Sequence, residues 1–320
     1  MIFQIITFII SCLILSWLSK SLVKTLVKVA QYLNWKEFMV GFFVMAFATS
    51  LPNLLVDVSA ALKGMPEIAF GDVVGGNIAD LTLVMALAVF FSKKYIPAES
   101  KMVQISAGFT AVIAVLPLFL ILDGNLNRID GVILIFTFFV YSIWIFSKKE
   151  NFTKVYGSER KKTKKIESPF WFLKKTGKLL FLLILLLGSS LVIVNTAEYF
   201  ATTFGISLAL VGVLIVGLGN VFPEAYFSIV SARKGEGWMV LGDLMGSVIV
   251  SATLVLGVVA LFFPFAIDDF SPFLIAKAFT LIAVIFYFFA IRSDKRITKK
   301  EGLILLLIYI LFLISEIIIK

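Results

Sequence analysis

Long stretches of this chain carry no charge at all, the clearest being Leu179 to Val194 and Leu303 to Ile314. A soluble globular chain breaks its apolar runs every few residues, with about half of its residues apolar and a quarter charged. Here 60% are hydrophobic and 15% charged, at a mean hydropathy of +1.04. That pattern excludes a water-soluble enzyme, a secreted disulfide scaffold and a disordered chain. It predicts an all-α polytopic membrane protein. A bilayer-crossing helix needs about 20 mostly apolar residues. Ten segments qualify: 1–19, 38–62, 67–92, 103–122, 129–147, 177–199, 205–232, 238–265, 271–291 and 301–319. The first has no basic stretch before it and no small-residue cleavage site after it, so it reads as a retained span rather than a signal peptide.

Residue types that are scarce narrow the chemistry. The chain has no histidine, which removes histidine-based nucleophiles, histidine-ligated metals and the usual pH switch. Cys12, the single cysteine, excludes intrachain disulfides, CxxC redox chemistry and iron–sulfur ligation. It reads as a small packing residue in the first apolar run.

The formal net charge of +9 has a topological explanation. With the amino terminus outside, all 29 Lys and Arg except Lys63, Arg128, Lys277 and Lys320 fall on the cytoplasmic side. The positive-inside rule selects that orientation and puts both termini outside. The inner loop at 148–176 carries Phe170, Trp171 and Phe172 followed by Lys174 and Lys175, a pattern suited to an anionic leaflet. Nucleic-acid binding needs a folded basic module with stacking aromatics, and the sequence offers none.

Sliding the chain over itself by 171 residues reveals an internal repeat. Gly41 falls on Gly212, Pro52 on Pro223, Lys63-Gly64 on Lys234-Gly235, Gly71-Asp72 on Gly242-Asp243, and Gly75 on Gly246. Thr82-Leu83-Val84 falls on Thr253-Leu254-Val255. Apolar coincidences are cheap in a membrane protein, whereas glycines, prolines and aspartates in register are not. Each copy has five spans, an odd number, so the second inserts upside down relative to the first. The expected organisation is a first five-helix repeat at 1–147, a basic loop at 148–176 and a second repeat at 177–320. Inverted repeats of this kind are a feature of secondary transporters, whose site lies near the midplane where the copies meet.

The repeated part is also the polar part. Span two holds Ala48-Thr49-Ser50-Leu51-Pro52-Asn53 and then Asp57; span seven holds Gly219-Asn220-Val221-Phe222-Pro223-Glu224 and then Ser228. A proline inside a span removes a helix hydrogen bond and frees a carbonyl that a neighbour or a cation must satisfy. Span three holds Asp72, Gly76 and Asp80 on one face, and span eight holds Asp243, Ser247 and Ser251. Glycines at 71, 75, 76, 242 and 246 let another backbone approach.

Five carboxylates therefore lie at membrane depth: Asp57, Asp72, Asp80, Glu224 and Asp243. Each costs at least ~2.5 kcal/mol there, and no basic residue of these spans is placed to neutralise them. They should face a wet cavity and receive a cation from solution. Ligands that are all oxygen suit hard cations such as Na⁺ and Ca²⁺. Asp72 and Asp243 lie nearer the mouths, where vestibule or helix-start roles fit as well as ligation.

These residues resemble the sodium/calcium exchangers of the cation/calcium antiporter superfamily, whose two repeats carry G-T-S-x-P-E and then G-N-x-x-G-S-x-x-x-N/D. The likeness is specific over 41–85 and 212–256. It implies Ca²⁺ and Na⁺ taking overlapping sites in turn, with the bundle of spans one and six sliding over the other eight. By position the motif glutamates fall on Asn53 and Glu224, and the closing Asn/Asp on Asp80 and Ser251. The later serine falls on Gly76 and Ser247. The resemblance makes Glu224 and Asp80 the indispensable ligands. Asn53, Thr49, Ser50, Ser247, Ser251 and Asn220 supply neutral oxygens, while Ala46 and Gly217 add backbone carbonyls. Asp57, one turn from Asn53, is expected to restore the charge that Asn53 lacks.

The expected activity is antiport of Ca²⁺ against Na⁺ at a cell membrane, with no organic cofactor and no enzymatic step. The alternatives are proton coupling, because carboxylates crowded in a poorly solvated cavity can carry protons, and an exchanger relative whose cation selectivity the Asn53 departure has altered. An intramembrane aspartyl protease would need only two aspartates and leaves Pro52, Pro223 and Asp80 without a role. A scaffold without flux is the other rival.

Overall fold

The computed structural model describes residues 2–32, 45–147, 169–267 and 271–318. Among them are ten helical passes: α1 (Ile2–Tyr32), α2 (Met45–Leu62), α3 (Pro66–Phe91), α4 (Lys101–Asp123), α5 (Arg128–Ser147), α6 (Pro169–Phe204), α7 (Leu208–Lys234), α8 (Gly237–Phe262), α9 (Ser271–Arg292) and α10 (Lys299–Ile318). All but α1 and α2 are long and apolar enough throughout to cross a membrane; α1 adds the apolar stretch Ile2–Leu18. The chain is an all-helical, multi-pass membrane protein.

Two boundaries differ from the sequence expectation. α1 continues past residue 19 to Tyr32, and α6 begins at Pro169 rather than 177. Lysines at 24 and 28 and at 174, 175 and 178 do not stop these helices, because long lysine stems reach water from the last turns of a span. Lys175 lies 5.5 Å over the Trp171 ring, one turn back on α6, so the aromatic–basic pair belongs to a helix start and not to a loop. The rest of the expected basic loop, and residues 38–44 of span two, lie outside the described residues.

The inverted repeat is written in the backbone. Four two-residue strands pair across the molecule: β1 (Ile96–Pro97) with β4 (Arg296–Ile297), and β2 (Asn125–Leu126) with β3 (Phe265–Ala266). β1 and β2 lie at opposite ends of α4, so the two ribbons lie at opposite ends of the bundle. The 171-residue shift carries the β2 region onto β4 and the β1 region onto β3. The symmetry operation therefore exchanges the two ends, which is what inversion means.

Local signals are repeated with equal fidelity. α2 and α7 stop at Gly64 (φ 74°) and Gly235 (φ 82°), with the next residue's N–H returning to Ala60 and Ser231. That is the left-handed glycine stop of a helix, which explains why Lys-Gly recurs in the repeat. α5 and α10 start from reciprocal caps: Asn127 with Asp130, and Thr298 with Glu301. α3 and α8 each carry a π-helical turn, Asp80–Val84 and Val250–Val255.

The apolar packing falls into two main bodies. One surrounds α3 and α8, with α4, α5, α9 and α10. The other joins α1 and α6 to faces of α2 and α7, through Cys12, Leu15, Leu186 and Ile193. α3 and α8 are the most enclosed passes, 78% and 83% buried against 28–50% for α4, α5, α6, α9 and α10. Outer helices turn Leu180, Ile184, Phe289 and Ile318 outward, as a lipid-facing surface requires.

Candidate cation site

Glycines bring the two repeats together. A Cβ at Gly75 would overlap the Val213 carbonyl, and one at Gly71 would lie 2.5 Å from the Ala209 oxygen. Gly212 and Gly217 meet α3 in return, Gly217 lying against the Gly76 amide. α3 and α7 thus cross backbone to backbone, as the glycine spacing predicted. The segment that would face Gly242 and Gly246 by symmetry lies mostly outside the described residues.

Around this crossing every candidate side chain from α2, α3, α7 and α8 is more than nine-tenths buried: Thr49, Ser50, Asn53, Asp57, Asp72, Asp80, Asn220, Glu224, Asp243, Ser247 and Ser251. Ala46 lies in the first turn of α2, and Gly217 just past a π-helical turn of α7, Gly212–Val216. α7 then breaks at Val221, and Phe222–Lys234 begins again with Pro223 in its first turn. The break sets Glu224 in the first turn of a new half-helix, where the exposed N–H groups favour a negative charge. Pro52 interrupts nothing: α2 runs through it as one helix.

Within the site two side-chain hydrogen bonds cross between the repeats, and they are the same bond twice. Thr49 Oγ1 donates to Asp243 Oδ1 at 3.3 Å, and Asn220 Nδ2 donates to Asp72 Oδ2 at 2.6 Å. Thr49 and Asn220 are symmetry mates, as are Asp72 and Asp243. The assignment of Asp72 and Asp243 to the mouths is thus refined, since each aspartate is held by the opposite repeat's motif. Asp57 lies within hydrogen-bonding reach of Asp72 and Asp80 within that of Ser247, and Glu224 lies within electrostatic reach of Asp80, Asp243 and Asp72.

What distinguishes the site is how much of its oxygen has no partner. Asn53 Oδ1, Asp80 Oδ1, Asn220 Oδ1, both oxygens of Glu224, Ser228 Oγ and Asp243 Oδ2 are buried without a hydrogen bond, while Asp57 and Ser247 have only the carboxyls of Asp72 and Asp80 to pair with. Native proteins leave few such groups, because each costs about 1–3 kcal/mol, more when charged. The single ion pair among the described residues is Arg296 with Asp294, an exposed pair in the α9–α10 connection. No set of three carboxylates among the described residues converges on one point. The donors are therefore carboxylates in ones and twos, completed by amides and hydroxyls. A cavity of about 10 Å³, the size for one water or small ion, is lined by Asn53, Asp57, Asp72, Asn77, Asp80 and Ser251.

Three contributors lie outside the ligand set expected from sequence. Asn77 lies next to the Asp72–Gly76–Asp80 stripe and was hidden by the glycines around it. Ser228 is the symmetry mate of Asp57, and its hydroxyl gains meaning only beside Glu224. Tyr287 of α9 buries its hydroxyl without a hydrogen-bond partner, within electrostatic reach of Asp80. Nothing within Phe286-Tyr287-Phe288 separates it from lipid-facing aromatics.

An inverted five-helix repeat that buries unpartnered oxygens where its copies cross is the build of a membrane cation transporter. The family model for the sodium/calcium exchanger protein matches residues 3–147 and 174–317. The chain belongs to that family, one of exchangers rather than enzymes. A sodium/calcium exchanger of Methanosarcina acetivorans, MaX1, is 24% identical, covering 91% of this chain and 92% of its own. The inner membrane protein YrbG of Escherichia coli is 26% identical, covering 83% and 82%. A solved structure of the sodium-calcium exchanger NCX_Mj, soaked with Na⁺ and Sr²⁺, matches at a TM-score of 0.68 and 26% identity. It covers 98% of this chain and 99% of that one.

Proposed function

We propose that this chain exchanges Ca²⁺ for Na⁺ by alternating access, with the cation held between Asp80 and Glu224. The observation that carries this is the set of unpartnered oxygens at the α2–α3/α7–α8 crossing, in a member of the exchanger family. Asp80 and Glu224 supply two negative charges, enough to balance one Ca²⁺ or two Na⁺. Ser247 lies beside Asp80; Thr49, Ser50, Asn53, Asn220 and Ser251 complete a neutral oxygen shell, with the carbonyls of Ala46 and Gly217. Ca²⁺ takes six to eight such oxygens. Na⁺ displaces it by the same chemistry, because both are hard cations.

Access alternates in this reading by movement of the α1–α6 pair, whose apolar cluster is separate from the main body and lies against the motif helices α2 and α7. External termini are supported by the distribution of Lys and Arg. No organic cofactor enters. Proton coupling is the second reading, favoured by the facing carboxylates of Asp57 and Asp72.

The test is uptake of radioactive Ca²⁺ into liposomes holding the purified protein. Sodium is loaded inside and diluted outside, with a matched proton gradient as control. Uptake that follows sodium and vanishes in Glu224→Gln is the expected result. Uptake under the proton gradient alone makes the protein a proton-coupled relative. Bound Ca²⁺ with no flux in either case overturns antiport.

A further inference from the structure

Away from the cation site a cavity of about 250 Å³ lies where α3 and α7 end and α8 begins. Lys93, Lys94 and Tyr95 of the turn after α3 line it, with Pro97 of β1 and with Ala232 and Gly235 from the end of α7. Local structure holds these walls. Ser92 ends α3 by donating its hydroxyl to the Val89 carbonyl, and β1 pairs with β4. The Ala98 N–H donates to the Lys295 carbonyl at 2.8 Å, and Gln104 Nε2 donates to the Ala98 and Ile291 carbonyls at 2.7 and 2.8 Å. A Cβ at Gly237, the first residue of α8, would lie 2.6 Å from Pro97 Cδ, so α8 starts pressed against the strand.

Charge gathers here beyond what the repeat supplies. Segments 92–97 and 232–237 hold Lys93, Lys94, Arg233 and Lys234 against one acid, Glu236. Their repeat mates, 263–268 and 61–66, hold Lys63 against Asp268. The 171-residue shift puts Pro264, Phe265 and Leu62 where Lys93, Lys94 and Arg233 stand. Among the described residues none of these four cations has an ion-pair partner, whereas Arg296 is taken up by Asp294. Arg233 is held 4.6 Å over the Phe91 ring, which fixes one cation beside the recess. The bias of Lys and Arg toward one face of a membrane explains their sign but not their convergence on a cavity.

Size and polarity select the ligand. Ile96, Pro97 and Ala232 make part of the lining apolar beneath this charge. The volume falls just short of the ~300 Å³ at which pockets for drug-sized molecules begin, so it suits a phosphate and the carbons beside it. The recess lies at the depth where spans end and lipid headgroups begin, and basic pockets between helices at such ends take acidic headgroups. We infer that it binds the phosphate headgroup of an anionic phospholipid, with Lys93, Lys94, Arg233 and Lys234 supplying the countercharge. Because α3 carries Asp80 and α7 carries Glu224, a bound headgroup would tie together the ends of the two ligand helices.

Thermal unfolding of the purified full-length chain in neutral detergent, with phosphatidylglycerol or phosphatidylcholine added, tests the assignment, and native mass spectrometry counts retained lipid. Phosphatidylglycerol should raise the midpoint and stay bound, and phosphatidylcholine should do neither. Lys93→Gln with Lys94→Gln should weaken that binding by roughly tenfold or more, while Lys93→Arg with Lys94→Arg keeps it. Lys299→Gln with Lys300→Gln removes the same charge from the exposed start of α10 at the same end and should leave binding unchanged. Equal weakening by both glutamine pairs overturns the site, because diffuse surface charge then suffices. Equal protection by phosphatidylcholine does the same, and equal protection by inorganic phosphate overturns the lipid in favour of a soluble anion. If the Lys93→Gln, Lys94→Gln protein is less stable without lipid, the count of retained phosphatidylglycerol decides.

Discussion

In the first repeat the carboxylate that follows the proline is Asp57, a turn beyond Asn53 on an unbroken helix. In the second it is Glu224, immediately after Pro223, in the first turn of a half-helix that starts anew. Both repeats share glycine stops, reciprocal caps, strand pairing and cross-repeat hydrogen bonds, so the backbone plan is common property. The chemistry diverges at single positions within that plan: Asn53 against Glu224, Gly76 against Ser247, Asp80 against Ser251. Symmetry of fold therefore places ligands in pairs without making the pairs equivalent. The second repeat presents Glu224 at its helix break, and the first leaves a small cavity at Gly76.

The strongest way to break this contrast is to remove its key charge. Glu224→Gln should cost about 3–5 kcal/mol of Ca²⁺ binding, as loss of one partner of a buried ionic contact does. Asn53→Ala should cost about 1 kcal/mol, a neutral hydrogen-bonding group's worth. Equilibrium Ca²⁺ titration of the two variants compares them directly, and equal losses would make the repeats equivalent after all.

Steric roles of neighbouring glycines come next. Gly75→Ala drives a methyl into the Val213 carbonyl and should destabilise the protein by about 3 kcal/mol. Gly76→Ala enters open space and should change stability by less than about 0.5 kcal/mol. Thermal unfolding in detergent measures both. A stable Gly75→Ala protein would mean that α3 and α7 are not pressed together there.

The paired hydrogen bonds differ in length, 2.6 Å for Asn220–Asp72 and 3.3 Å for Thr49–Asp243. Bonds to charged groups contribute about 1.5–3 kcal/mol. A double-mutant cycle across Asn220 and Asp72 should lie in that range, and one across Thr49 and Asp243 below it. Coupling energies in the reverse order would show that anchoring is not stronger on the first half-site.

The smallest expected effect lies at the repeat's turns. Gly124 (φ 89°) has Lys295 (φ 53°) as its symmetry mate, and the left-handed region costs a residue with a side chain about 1–2 kcal/mol. Lys295→Gly should stabilise by about 1 kcal/mol and Gly124→Ala should destabilise by a similar amount. Denaturant or thermal midpoints of both variants check the pair.

Much of this was legible in the chain. Helical passes follow from apolar run length, and the repeat from glycine, proline and aspartate in register. Lys-Gly at 63–64 and 234–235 reads as a stop signal once the helices are placed. The ends of α1 and α6 lie beyond their apolar runs, because lysine stems let a helix continue past the apolar stretch. Asn220 was readable as a neutral ligand, but its bond to Asp72 spans 148 residues of sequence and crosses the repeats. Tyr287 carried no signal, because its meaning lies in Asp80 on another helix.

Sequence by itself determined that this chain lives in a membrane, that it is built twice, and that carboxylates recur inside apolar helices. Those facts are set by composition, period and register, which are one-dimensional. Only tertiary structure decided which carboxylates face each other, that Gly76 is open while Gly75 is pressed against backbone, and that α7 breaks at its proline while α2 does not. These depend on which helices cross, and where, so that residues far apart in the chain enclose buried oxygens and a small cavity between the two repeats.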